Sequence, residues 1–141
     1  MEKHALERKA LQGAVLIAAC VPVFAGGWGV LHGLAGADAW AVNHQRYLSG
    51  LLLAIGFAFW SAIPAIESKT ARVRLLTFIV VIGGLCRLLG VALGDPPSLT
   101  TLGALAMELL VTPALCLWQS RLCGPAMRNV GPVTSAPQLD S

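Results

Sequence analysis

The sequence predicts an all-α protein of the membrane-spanning class, a bundle of four transmembrane helices with both termini in the cytoplasm. Hydrophobic residues make up 56% of the 141 residues and charged residues only 12%, whereas soluble domains carry about 25% charged residues. Four apolar runs are each long enough to cross a hydrocarbon core of about 30 Å. Lysine and arginine gather at alternate junctions between these runs, which is typical of chains that cross a membrane repeatedly.

The four apolar runs define the predicted elements and leave little chain between them. We expect residues 1–122 to form a single membrane domain. We expect residues 123–141 to form a disordered tail, because this stretch carries three prolines and few large apolar groups. The predicted spans cover residues 11–34, 47–66, 73–93 and 99–118.

The first span also has the outline of a signal peptide. Basic residues precede an apolar stretch over residues 11–24, and Val23-Phe24-Ala25 resembles a cleavage site. The apolar run nevertheless continues to Leu34, which makes it long enough to cross the membrane. We therefore interpret this run as a retained helix, and cleavage at Val23-Phe24-Ala25 stays the alternative.

Charged and aromatic residues agree on the expected orientation. Cytoplasmic loops of membrane proteins carry an excess of lysine and arginine, and eight such residues lie on the side that holds both termini. The opposite side has two aspartates and Arg46, and aromatic rings mark both interfaces. The basic residues are Lys3, Arg8, Lys9, Lys69, Arg72, Arg74, Arg121 and Arg128.

The connections are short and carry helix-capping signals. Asp38 is expected to cap a short interfacial helix that leads into span two. The second connection, residues 67–72, is basic. The third, residues 94–98, contains Pro96 and Pro97, which cannot continue a helix, and Ser98 is placed to cap span four.

Several function classes lack a motif in this chain. The four cysteines are scattered without a Cys-x-x-Cys pair, so neither a zinc site nor a dithiol redox site is predicted. The sequence contains no Gly-x-Ser-x-Gly elbow and no phosphate-binding loop. We therefore predict no catalytic residue and no cofactor, and we favour a non-enzymatic protein. The net charge of only +3, placed at the membrane boundaries, argues against a nucleic-acid partner.

Arg87 and Glu108 are ionisable residues deep inside predicted spans three and four. A charge at that depth costs at least about 2.5–3.5 kcal/mol, so such residues are normally paired or functional. The tight turn makes the two spans antiparallel neighbours, and the depths of the two residues differ by about 3 Å. Gly83, Gly90 and Gly94 share a helix face with Arg87 and turn it toward another helix. We predict an ion pair, serving either to hold helix register or as part of a binding or proton-handling site.

Thr112 and Pro113 keep the functional interpretation of Glu108 open. Thr112 lies one turn beyond Glu108, and Pro113 removes a backbone donor and frees the carbonyl of Leu109. Polar backbone exposed beside a carboxylate is typical of sites inside membrane proteins. The alternative is that the proline only kinks the helix.

A further polar cluster is predicted where spans one and two meet the membrane surface. Its members are His32 at the end of span one and His44, Arg46, Tyr47 and Ser49 at the start of span two. These side chains either anchor the helices at the interface, or Arg46 points inward and forms an outward-facing polar pocket with Arg87 and Glu108. No histidine pair at i, i+4 is present, so no metal site is predicted.

Four sequence runs resemble a bacterial domain-of-unknown-function family, numbered 4345, of small four-span membrane proteins. They are His44-Gln45-Arg46-Tyr47-Leu48-Ser49-Gly50, Ala62-Ile63-Pro64, Gly83-Gly84-Leu85-Cys86-Arg87-Leu88 and Met107-Glu108-Leu109 through Pro113. The resemblance covers residues 11–121. It implies a multi-pass protein of the bacterial inner membrane and brings no established activity. A looser similarity, in size and span number, connects the chain with DoxX-like proteins, some of which are associated with quinone-linked or thiol redox systems.

Two function classes follow from these observations. The first is a non-enzymatic integral membrane protein, an accessory subunit or small-ligand binder, with Arg87 and Glu108 inside the bundle. The second is a membrane-embedded redox component or a carrier of small solutes or protons. The expected partners are the lipid bilayer, a lipid, quinone or small anion, and a second membrane protein.

Overall fold

The computed structural model describes residues 2–33 and 35–122 and the backbone of Cys123. Within these residues the fold is entirely helical, and four helical stretches are long and apolar enough to cross a membrane. The predicted fold class is therefore confirmed. From residue 124 onward, the expected tail lies outside the described residues. The orientation of the termini stays a prediction. The helices are α1 (Glu2–His32), α2 (Ala39–Trp60), α3 (Thr70–Ala92), α4 (Leu99–Ala106) and α5 (Thr112–Cys123).

Two short irregular helical turns complete the elements. A 3₁₀ turn, Ile63–Ala65, follows α2, and a π-helical turn, Met107–Val111, joins α4 to α5. The stretch from α4 through α5 forms the fourth apolar crossing, Leu99–Leu122.

Capping side chains determine where α2 and α4 begin. The Oδ1 atom of Asp38 accepts a hydrogen bond from the Ala41 amide at 2.7 Å, so α2 begins at Ala39. The interfacial helix expected after Asp38 is thus the first part of α2 itself. Ser98 caps α4 by accepting from the Thr101 amide at 3.1 Å. Both predicted caps are confirmed.

The helices are arranged as two antiparallel hairpins. In the first, α1 packs closely along α2, because Gly26 faces the Leu53 amide and the Ser49 carbonyl of α2. A Cβ atom at Gly26 would lie only 2.6 Å and 2.7 Å from these two atoms. In the second hairpin, α3 packs against the π turn and α5, and α5 also contacts α1. The two hairpins therefore meet mainly through α1 and α5.

The buried apolar core lies at one end of the bundle, which we call the closed end. It holds Leu11, Ala62, Ile66 and Val73, each at most 3% exposed. Here the Gln12 Nε2 atom donates to the Ile63 carbonyl at 2.9 Å, and Gln119 donates to the Ile66 carbonyl. These bonds satisfy backbone carbonyls released where α2 ends.

The far end of the bundle holds the α1–α2 and α3–α4 connections. Large apolar residues are exposed there, including Leu93 at 80% and Leu99 at 88%. The glycines of the connections adopt positive φ angles, +79° at Gly36 and +114° at Gly94, which favour glycine. Lipid is the natural solvent for these exposed apolar groups.

Candidate functional site

Arg87 of α3 and Glu108 of the π turn form the expected ion pair. The Arg87 Nε atom donates to Glu108 Oε2 and its Nη2 atom donates to Oε1, both at 3.2 Å. Such a two-point contact fixes the relative orientation of both side chains. The Arg87 side chain is nevertheless 44% exposed and that of Glu108 is 18% exposed. The ion pair is formed, but both of its side chains remain partly exposed.

The guanidinium keeps unused donors. Arginine carries five N–H groups, and the two bonds to Glu108 are the hydrogen bonds that Arg87 makes among the described residues. Three N–H groups thus remain available to an additional acceptor.

A glycine one turn before Arg87 allows the close approach of α3 to the π turn. A Cβ atom at Gly84 would lie 2.9 Å from the Glu108 Cβ atom and 2.8 Å from a Leu109 methyl group. The close helix contact expected on the face of Gly83 is therefore made one residue later. Gly84 makes the helix contact, whereas a Cβ atom at Gly83 would meet nothing within 4 Å.

The local helix geometry at Glu108 departs from a regular α-helix. The amide of Thr112 bonds to the Met107 carbonyl, five residues earlier, and its Oγ1 atom donates to the same oxygen at 2.8 Å. Pro113 follows directly and has no N–H to continue the regular pattern. The kink expected at this proline takes the form of a π turn, a feature frequent at functional sites.

A cavity of about 350 Å³ lies between the two hairpins, and the ion pair forms part of its wall. Most of its lining is apolar, with residues from all five α-helices and from the π turn. The uncharged polar side chains in the wall are those of Thr77 and Thr112. Along α3 the lining runs from Val73 to Arg87, a length of about 21 Å.

Thr77 is a buried hydroxyl without a partner. Its residue is 9% exposed, and its Oγ1 atom makes no hydrogen bond to any described residue. A buried polar atom of this kind normally has a partner. Thr77 lines the cavity, so a polar atom of a bound molecule is a natural candidate for that partner.

The structure does not bring the second predicted cluster to the ion pair. His32 stacks on Trp28 with ring centroids 3.7 Å apart, and His44 stacks on Trp40 at 5.2 Å. Ser49 packs against Gly29 of α1. None of the five predicted residues of that cluster lines the cavity: His32, His44, Arg46, Tyr47 and Ser49.

Sequence reasoning placed Gly83 on the helix face of Arg87 but missed Thr77 and Val80 as further residues of that face. Both lie on the stripe of α3 that faces the cavity, where Thr77, Val80, Gly83 and Arg87 follow spacings of three and four residues. Extending the Arg87 face back toward the start of α3 is the signal that would have found them.

The site lacks the ligand set of a metal centre. Among the described residues, no three histidine, cysteine, aspartate or glutamate side chains gather closely enough to hold an ion. Cys116 is a free cysteine in the cavity wall. The arrangement suits hydrogen bonding to a small molecule.

The fold is that of a helical membrane protein with a cavity between its two hairpins. The sequence profile of the family described as Domain of unknown function (DUF4345) matches residues 10–119, which are 110 of the 141 residues. The chain belongs to this family. No curated protein and no solved structure matches it.

Proposed function

We propose that this protein is a non-enzymatic membrane bundle that binds a small, largely apolar molecule between its two hairpins. The observation that carries the proposal is the apolar cavity, whose wall contains an ion pair with unused donors and an unpartnered buried hydroxyl. Small-molecule sites are typically cavities of this kind, mostly apolar with a few placed polar groups.

The exposure of Arg87 supports a binding role in addition to a structural one. A pair that only held helix register would be most stable with its remaining hydrogen-bonding groups satisfied by the protein. Arg87 instead lines the cavity with donors to spare. In an apolar surrounding, an unused donor is costly, so a bound acceptor would lower the free energy of the folded protein.

The ion pair also contributes to holding the second hairpin together. Arg87 and Glu108 connect α3 to the π turn by two hydrogen bonds. This contact is equally compatible with the other role that the sequence left open, an accessory subunit whose stable bundle would present its surface to a second membrane protein in the bacterial inner membrane.

A carrier of solutes or protons would need a polar path from the cavity to the aqueous phase. Arg46 was the residue expected to provide that path, and it lies outside the cavity wall. Apart from Thr77 and Thr112, the wall that surrounds the ion pair is apolar. A quinone-linked role would likewise begin with binding of the quinone in this cavity. We therefore place binding first.

A cavity-filling variant tests the proposal. Gly83 lines the cavity and has open space beyond it, so Gly83→Leu is expected to fill the cavity without a clash. Gly103 of α4 also has nothing within 4 Å and lies outside the cavity wall, which makes Gly103→Leu the matched control.

The measurement is native mass spectrometry of each protein released from membrane nanodiscs. The wild type and Gly103→Leu are expected to carry the same small-molecule adduct, and Gly83→Leu is expected to carry at least tenfold less. Equal adduct in all three proteins would place any binding outside the cavity and contradict the proposal.

A further inference from the structure

We infer that the molecule bound in the cavity is uncharged and presents a carbonyl-type hydrogen-bond acceptor to Arg87. This inference rests on the proposed function and adds the chemical class of the ligand. It depends on the charge balance of the wall, the accessibility of its donors and the shape of the cavity.

The charge balance of the cavity disfavours an anion. A lone arginine in an apolar cavity would attract a carboxylate or phosphate, but the Arg87 guanidinium is already held at two points by Glu108. The other acidic and basic side chains of the described residues lie outside the wall. An anionic head would therefore bring a second negative charge beside Glu108, and its repulsion by Glu108 would offset its attraction to Arg87 in a low-dielectric site.

The accessible groups of the pair are donors. Arg87 is 44% exposed and retains three N–H groups, whereas Glu108 is 18% exposed and spends both carboxylate oxygens on Arg87. A ligand atom that approaches the pair thus meets N–H groups first. A carbonyl oxygen, as in an ester, a ketone or a quinone, matches these groups without adding charge.

The shape of the cavity calls for an extended apolar body. Its wall follows α3 for about 21 Å, from Val73 to Arg87, and the remaining lining is almost entirely apolar. Thr77 lies ten residues before Arg87, about 15 Å along the helix, with its hydroxyl unpartnered. A long chain with its carbonyl at Arg87 therefore passes this hydroxyl on its way to the closed end, where a second polar atom of the same molecule would give Thr77 its partner.

The experiment compares three probes that share one chain length. Methyl laurate has an uncharged carbonyl, laurate at pH 9 has an ionised carboxylate, and dodecane has no polar head. Each is titrated against the protein in nanodiscs, and native mass spectrometry measures the bound fraction. The wild type is expected to bind methyl laurate at least tenfold more tightly than either other probe.

Two variants link this selectivity to the ion pair. In Glu108→Gln the guanidinium loses its neutralising partner, so laurate is expected to become the preferred probe. In Arg87→Met the donors are gone, so methyl laurate is expected to bind no better than dodecane. A loss of stability alone would not reverse the order of the probes.

The outcomes separate the inference from the proposed function. Tighter binding of laurate than of methyl laurate to the wild type, or equal binding of methyl laurate and dodecane, overturns the inference and leaves the cavity as a binding site. If no probe binds the wild type more than it binds Gly83→Leu, the cavity is not a binding site and both fail. The wild-type probe series by itself decides the inference about the ligand class, even if a variant does not fold.

Discussion

Arg87 owes its place in an apolar helix to a partner on the neighbouring element. Its contact with Glu108 was predictable from the sequence, because the tight turn at residues 94–98 makes spans three and four adjacent and the two residues lie at similar depth. The helix face on which Thr77 lies was predictable from residue spacing, but the unpartnered state of its hydroxyl was not. That hydroxyl becomes conspicuous only when the α1–α2 hairpin covers it and leaves it without a partner.

A double-mutant cycle measures the contribution of the ion pair to stability. Arg87→Met and Glu108→Gln are each expected to lower the free energy of unfolding by about 1.5–3 kcal/mol, because each leaves one member of a charged contact without its partner. The double variant is expected to recover at least about 1 kcal/mol of the summed loss. Reversible unfolding in mixed micelles provides the measurement, and additive losses would argue against coupling.

Replacing Thr77 tests whether its hydroxyl lacks a protein partner. Thr77→Val keeps the shape and removes the unpartnered Oγ1 atom, so the ligand-free protein is expected to gain about 1 kcal/mol of stability. Thr77→Ser keeps the hydroxyl and serves as the control, with no such gain. A loss of stability in Thr77→Val, measured by the same unfolding assay, would indicate that the hydroxyl bonds to the protein after all.

At the scale of elements, hydropathy located the helices and capping residues located two of their ends. Asp38 and Ser98 cap α2 and α4 as expected, but α1 reaches back to Glu2, well before the apolar run. Hydropathy reports which part of a helix lipid can cover, whereas backbone hydrogen bonding decides how far the helix extends. The π turn before Pro113 was expected only as a kink, because its type depends on the Thr112–Met107 bonds.

Two adjacent glycines of α1 offer a matched test of the first hairpin. A Cβ atom at Gly26 would collide with the backbone of α2, whereas one at Gly27 would meet nothing within 4 Å. Gly26→Ala is therefore expected to lower the free energy of unfolding by about 1–3 kcal/mol. Gly27→Ala is expected to be neutral or to raise it by up to about 1 kcal/mol. Thermal unfolding in detergent distinguishes them, and equal effects would contradict the packing of α1 on α2.

At the scale of the whole molecule, the sequence predicted four membrane-spanning stretches but not how they pack around the cavity. The tight turn predicted the α3–α4 neighbours, yet the contact of α1 with α5 depends on side-chain fit between elements far apart in the chain. For the same reason the sequence left two alternatives for Arg46, anchoring at the interface or lining a pocket with Arg87, and Arg46 does not line this cavity. Depth along each helix could be estimated from the sequence, whereas rotation of each helix about its axis could not.

The predicted orientation is tested by labelling single cysteines, in a background where the native cysteines are replaced by alanine. Ala35 and Ser68 are exposed residues of the first and second connections, at opposite ends of the bundle. A membrane-impermeant maleimide is expected to label Ala35→Cys in right-side-out vesicles and Ser68→Cys in inverted vesicles. The reverse pattern would mean that the basic residues do not mark the cytoplasmic side.

The glutamine contacts at the closed end have a kinetic consequence. Gln12 of α1 and Gln119 of α5 each donate a hydrogen bond to one end of the Ile63–Ile66 segment. The buried core surrounds these bonds. Among the described residues, no side-chain hydrogen bond joins the two hairpins at the far end. Of these two bonds, the one from Gln119 joins the second hairpin to the first. Under the proposed function, a guest molecule is therefore expected to enter sideways from the lipid at the far end, and its residence time is expected to depend on this bond.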